Sequence, residues 1–237
     1  MPAKITIIAT SHIARESIRL ISDTVEKERP DCIAVELDMG RYQALKEGEG
    51  SLIDSLRALG PLTFLFYFVL KNLQQSLGRM VGVSPGSEML EAVRLGQEKG
   101  VHVELIDRDI GETFLRIKAV PAKEKVKLLT FVLRALLPGA GREGLEYKEK
   151  LDLSRVPPEK VVDEAIGLLR KQFPWLYRIL IEERNRYMTQ RISQLSQRCQ
   201  NIVIVVGAGH AKGIMEMLRN NTHEAAEPSA TYSITAG

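Results

Sequence analysis

The chain has 237 residues, 44% hydrophobic and 27% charged, with a formal net charge of +3, the balance of an ordinary globular protein long enough to bury a sizeable core. Lysines and arginines are interspersed with acids rather than gathered in blocks, and aromatic residues make up only 5%. That argues against a nucleic-acid-binding surface.

Met1-Pro2-Ala3-Lys4 has no signal-peptide pattern and leads into a first strand, Ile5–Ala9. In the segment "ARESIRLISDTVEKERPD", Ile18, Ile21 and Val25 recur at helical spacing before Pro30 stops the helix. A second strand, Cys32–Leu37, completes a βαβ unit whose crossover is expected to be right-handed. Cys32 and Cys199 match neither a metal-ligand spacing nor a disulfide framework, so they read as reduced thiols of a cytoplasmic protein. Leu59–Leu70, "LGPLTFLFYFVL", is uncharged and apolar, but its 12 residues fall short of the roughly 20 that span a bilayer as a helix. It has three readings: a core helix, a homodimer contact, or an anchor at a membrane surface.

In "SEMLEAVRLGQEKG", Met89, Leu90 and Val93 share a face and Gly100 ends the helix. A strand at Val101–Ile106 follows, then a helix from "AKEKVKLLTFVLRALLPG" and a charged loop or lid in "GAGREGLEYKEKLDLSRVPP". Two more helices, at about Pro158–Lys171 and Pro174–Arg198, precede a strand at Ile202–Val206 and a weaker one at Thr231–Thr235. The expected architecture is a single α/β domain over residues 1–237. It has a mostly parallel central sheet of about four to six strands flanked by helices, and a large helical insertion over about 50–100 and 120–198.

An open α/β sheet places its ligands at the carboxyl ends of its strands, and here those ends finish in ionisable groups. "IIATSH" brings His12, "AVELD" brings Glu36 and Asp38, "ELIDRD" brings Asp107, Arg108 and Asp109, and "VVGAGH" brings His210. The glycines of "VVGAGHAKGI" form a loosened dinucleotide fingerprint, but only the 23 residues from Met215 to Gly237 follow it, too few for the βαβ unit such a cradle opens. Asp38 and Asp109 read as helix caps, and His12 has a second reading as a solvent-exposed helix residue. Glu36, near the end of an apolar strand, must be paired if it is buried, and Arg108 is a candidate partner. In "IEERNRYM", Glu183 and Tyr187 are four apart on one helix face, as are Arg184 and Met188. Part of that cluster can therefore aim at the sheet edge.

Taken in order, "ATSHIARES", "CIAVELDMGRYQAL", "ELIDRDI", "EERNRYM" and "VVGAGHAKGI" resemble the TraB, or pheromone-shutdown, family of the superfamily that includes Tiki proteases, erythromycin esterases and ChaN-like haem-binding proteins. That superfamily carries two G-x-x-H motifs. Gly207-Ala208-Gly209-His210 matches the second, whereas Ala9-Thr10-Ser11-His12 has alanine where the first has glycine. The resemblance implies a centre built from His12, Glu36, Arg41, Arg108, Glu183, Arg184 and His210. Family members commonly continue into C-terminal membrane helices, so it also implies either a short member or part of a longer protein; the cytoplasmic reading rests on the cysteines, and membrane association on Leu59–Leu70.

Three functions fit these residues. The first is a metal-dependent hydrolase acting on small signalling peptides, with a divalent ion on His12, Glu36 and His210. Glu36, Arg108, Glu183 and Arg184 would be its catalytic groups, and Arg41 and Tyr187 its substrate contacts. The second is a metal-free, esterase-like hydrolase with a histidine base. The third is a non-catalytic protein that captures a peptide or other anionic ligand among Arg41, Arg108 and Arg184.

Overall fold

The computed structural model describes residues 3–10, 15–47, 86–136, 159–224 and 230–236. His12 and the apolar Leu59–Leu70 segment lie outside the described residues. The elements in chain order are β1 (Ala3–Thr10), α1 (Arg15–Glu28), β2 (Cys32–Val35), α2 (Met39–Glu47), α3 (Ser87–Glu98), β3 (His102–Leu105), α4 (Ile110–Ala119) and α5 (Ala122–Leu136). They continue with α6 (Glu159–Gln172), α7 (Pro174–Tyr177), a π-helical turn (Arg178–Glu182), α8 (Glu183–Leu195), β4 (Asn201–Gly207), α9 (Ala208–Glu224) and β5 (Ala230–Ala236).

The five strands form one sheet in the order β3-β2-β4-β1-β5, and every pairing is parallel. Parallel sheets are covered on both faces, so their central strands are apolar without a break, and "IVIVV" in β4 meets that demand. Alternate side chains then serve opposite layers. Ile5, Ile7, Ala34, Ile202 and Ile204 pack with Met188 and Ile192 of α8 and with Ile214 and Leu218 of α9. Ile8, Ile33, Val35, Val203 and Val205 pack against Ile21 and Val25 of α1 and against Met89, Ala92 and Val93 of α3. The result is the α/β class expected from the sequence, with helices on both faces.

Strand order also determines where the open edge of the sheet lies. β2 leads away to β3 on one side, while β4 leads through α9 toward β5 on the other. Neighbouring strands whose connections leave in opposite directions open a crevice at their carboxyl ends. Here that crevice lies between β2 and β4.

Three local features differ from the sequence expectation. β2 ends at Val35 rather than Leu37, because the Leu37 N–H turns back to the Val35 carbonyl at 2.7 Å while the Glu36 N–H still pairs with Val205 at 2.9 Å. The helix expected over Pro174–Arg198 is interrupted by the π turn, where the Glu183 N–H reaches the carbonyl of Arg178 five residues back. The cysteines are not free thiols: Cys32 and Cys199 form a disulfide, with Cα atoms 6.1 Å apart across a separation of 167 residues. The pairing is invisible in the spacing because it is made by the sheet. Cys32 is in register with Ile202 of the neighbouring strand, and Cys199 lies just before that strand begins. With the pair bonded, the cysteines no longer argue for a reducing compartment. No helix among the described residues is long and apolar enough to cross a membrane.

Candidate active site

Glu36 occupies the β2/β4 crevice, 3% exposed. Its Oε2 accepts the Gly207 N–H at 2.7 Å, so the end of β4 orients the carboxylate that follows β2. Its Oε1 accepts from Nη2 of Arg184 and lies 3.4 Å from Nε2 of His210. The His210 ring is also buried, and its Nδ1 lies 2.6 Å from Oδ1 of Asn185. An amide oxygen only accepts, so Nδ1 carries the proton and Nε2 is the nitrogen turned toward Glu36.

Glycine at 213 makes this arrangement possible. α9 passes so close to α8 that a Cβ at Gly213 would stand 2.3 Å from Nδ2 of Asn185, far inside contact distance. The second and third glycines of the loosened fingerprint therefore differ. A Cβ at Gly209 would meet nothing closer than Ile166 at 3.9 Å, an ordinary contact.

Arg184 and Arg41 join the three strand ends. Arg184 grips Asp107 in bidentate fashion, Nε to Oδ1 at 3.1 Å and Nη2 to Oδ2 at 2.6 Å, while its Nη1 donates to the Leu180 carbonyl at 3.2 Å. Arg41 donates to both Asp38 and Asp107, and the Arg108 N–H donates to Oδ1 of Asp107 at 2.7 Å. Burial alone would raise the Asp107 carboxyl, but the guanidiniums of Arg184 and Arg41 hold it below the ordinary aspartate value. Burial likewise works against the charge on Arg184, and Glu36 and Asp107 outweigh it, leaving that guanidinium more firmly protonated than usual. The buried acids Glu36, Asp38 and Asp107 face the guanidiniums of Arg41 and Arg184. Among these described groups three carboxylates share two guanidiniums.

A second cluster shares its backbone with the first. Asp107-Arg108 and Glu183-Arg184 face each other so that each acid binds the other pair's arginine: Arg184 holds Asp107, and Arg108 Nη1 lies 3.2 Å from Glu183 Oε2. Arg116 and Arg178 also reach Glu183, each at 3.1 Å. Burial would raise the Glu183 carboxyl, but hydrogen bonding from Arg178 and the charges of Arg116 and Arg108 bring it below the usual range. The Arg108 guanidinium sits over the Tyr187 ring, 5.9 Å from its centroid.

Of the residues singled out from the sequence, Glu36, Arg184 and His210 meet at one point. Arg41 is committed to two carboxylates behind it, and Arg108, Glu183 and Tyr187 meet beside it. The partner of Glu36 is Arg184, not Arg108. His12 itself lies outside the described residues, but β1 pairs with β4 so that Thr10 is in register with Gly207. Asp109 caps α4 through the Glu112 N–H at 3.1 Å, and Asp38 accepts the Arg41 N–H at 3.1 Å, so both act as caps. Sequence reasoning gave no role to Asn185 or Asp107. Asp107 stood in plain view at a strand end, whereas nothing in "EERNRYM" marks the asparagine until α9 is packed against it.

The family model described as the TraB/PrgY/gumN family matches residues 2–225. An uncharacterized protein of Methanocaldococcus jannaschii is 34% identical over 221 residues, covering 91% of this chain and 53% of that protein. TraB domain-containing proteins of Bos taurus and Homo sapiens are each 27% identical over 241 residues, covering 90% of this chain and 62% of theirs. The chain thus spans between half and two thirds of the length of these relatives.

Proposed function

The chain belongs to the TraB/PrgY/gumN family, and on that premise we propose that it is a metal-dependent hydrolase of short peptides whose reaction centre is formed by Glu36 and His210. The observation that carries the reading is the 3.4 Å separation of His210 Nε2 and Glu36 Oε1 in a buried crevice. Two donors bound to one tetrahedral ion at about 2.0–2.1 Å stand roughly 3.3 Å apart, so the pair has the bite of a metal site. The surroundings suit it too. A ligating histidine normally donates its other N–H to an acceptor, as His210 does to Asn185, and a ligating carboxylate is itself hydrogen-bonded, as Glu36 is by Gly207 and Arg184.

His210 and Glu36 would hold the ion, with His12 as the third ligand that the family resemblance implies. Bound there, a divalent ion would supply an activated water and a Lewis-acid contact for a carbonyl oxygen. Asn185 keeps the Nδ1 proton of His210 in place and so keeps the Nε2 lone pair facing the crevice. Gly207 and Arg184 hold the Glu36 carboxylate oriented through their hydrogen bonds. Arg184, cationic and largely withdrawn from solvent, stabilises negative charge that develops on a substrate oxygen beside it.

The test is hydrolysis of a pool of short peptides by protein stripped with a chelator and reloaded with zinc, manganese or cobalt. The reading expects stoichiometric metal uptake, with turnover that chelation removes and reloading restores, and loss of both in His210→Ala. Turnover that survives complete chelation would instead favour a metal-free hydrolase. The geometry serves that reading too, since His210 with Nδ1 on Asn185 and Nε2 beside Glu36 can store a proton as an imidazolium balanced by the carboxylate. Saturable peptide binding without product under either condition would make the chain a binding protein.

A further inference from the structure

Beside the Glu36 centre, a cavity of about 160 Å³ is lined by Arg108, Arg116, Glu183, Arg186, Tyr187 and Gln190. Its charged lining is three guanidiniums and one carboxylate. Arg108 and Arg116 both approach the same oxygen of Glu183, at 3.2 and 3.1 Å, and Arg178 takes the other at 3.1 Å. Glu112 and Glu182 take one donor each from Arg116 and Arg186, but these few carboxylates cannot occupy all five N–H donors of every guanidinium. The shortfall is visible at Arg108. This side chain is only 12% exposed, and among the described residues its buried Nε has no hydrogen-bond acceptor; the Glu112 carboxylate is 3.8 Å away. A buried charged donor left without an acceptor is costly unless something else arrives to accept from it.

We propose that this cavity is a subsite for a ligand carboxylate, specifically the free C-terminal carboxylate of a peptide. A planar carboxylate matches the fork of a guanidinium and can take the open Nε of Arg108 together with an N–H from Arg116 or Arg186. The wall explains why a carboxylate suits it better than a phosphoryl dianion: Glu183 lines the cavity, and Glu112 and Glu182 pair with Arg116 and Arg186 at 3.1 and 3.0 Å, which opposes a second negative charge. The Tyr187 ring under Arg108 offers an apolar surface to the last side chain of the peptide, and Gln190 adds an amide. The cavity adjoins the reaction centre through the backbone, because Arg108 follows Asp107 and Glu183 precedes Arg184. The identity of the ligand as a peptide rests on the proposed function, whereas carboxylate binding does not require hydrolysis.

The experiment is a calorimetric or NMR titration of the whole chain with N-acetyl-trialanine and with its C-terminal amide, in chelator, with inorganic phosphate as a third probe. The acid is expected to bind about tenfold or more tightly than the amide. Arg116→Gln and Arg186→Gln should each weaken binding of the acid several-fold and leave the amide unchanged. Their side chains are 43% and 61% exposed, so both variants are expected to keep the fold, which a thermal melt checks. Equal binding of acid and amide, no binding of the acid, or full binding by both variants overturns the proposal. Phosphate binding in preference to the acid overturns the carboxylate assignment. Glu36→Gln separates the two proposals, since it should abolish turnover while leaving this titration intact.

Discussion

Asn185 and Gly213 show how much of the centre depends on groups with no chemistry of their own. Replacing Gly213 with alanine puts a methyl group where the Asn185 amide sits, so one of the two must move. The expected result is a stability loss of about 1–3 kcal/mol and a fall in hydrolysis like that of Asn185→Ala, measured by thermal melts and turnover on the same preparations. A Gly213→Ala protein with unchanged turnover would show that the amide does not orient His210. Arg184 is more demanding. Its removal, as in Arg184→Met, leaves Glu36 and Asp107 buried without their shared cation, which costs about 3–5 kcal/mol. Adding Asp107→Asn should recover part of that loss, and a double-mutant cycle reads the coupling. The pH dependence follows from Asp107 and Glu183, whose folded pKa values both lie below their unfolded ones. Such groups contribute stability that is fully present above the unfolded carboxyl values of about 4 and is lost as pH falls through the lower folded values. Melting temperature should therefore drop steeply below about pH 4, and Asp107→Asn should flatten that slope.

At the scale of elements, the π turn and the disulfide set the position of α8 from its two ends. The π turn holds one residue more per turn than an α-helix. It lets α8 keep Met188 and Ile192 in the core while α7 buries Leu176 against Phe173 and Leu128. Such single-turn insertions are frequent at functional sites, and this one directly precedes Glu183 and Arg184. At the other end, Cys199 ties the exit of α8 to the start of β2, the strand that carries Glu36. Closing a loop of 167 residues is worth up to about 5 kcal/mol in the chain-entropy picture. Oxidised protein should titrate no thiols when unfolded in non-reducing denaturant, and reductant should lower its melting temperature. If both thiols titrate in the untreated protein, the bridge is absent.

For the whole molecule, the parallel sheet predicts a gradient of local stability. β4 sits between β1 and β2 with both faces covered, whereas β3 is an edge strand whose His102 is exposed. Amide exchange should be slowest in β4 and the facing parts of β1 and β2, approaching the global unfolding free energy, and measurably faster in β3. Equal protection in β3 and β4 would show that β3 is not the weaker edge.

Strands, helices and the carboxyl-edge location of the charged groups could be read from the sequence because they depend on near neighbours. Apolar runs of β-formers, apolar residues at helical spacing, and prolines or glycines at the ends are local signals, and Glu36 and His210 stood out because they follow such runs. The partnerships are long-range and needed the fold. Arg184 lies 148 residues from Glu36, Cys199 lies 167 from Cys32, and Asn185 becomes a partner of His210 only because α9 lies against α8. The sequence alone determined the strands and most of the helices, though not those at Met39–Glu47 and Ile110–Ala119, and that ionisable residues end those strands, since local sterics and burial dictate both. Only the tertiary structure decided which acid meets which cation, because that depends on strand order and on the helix packing that brings distant segments into contact.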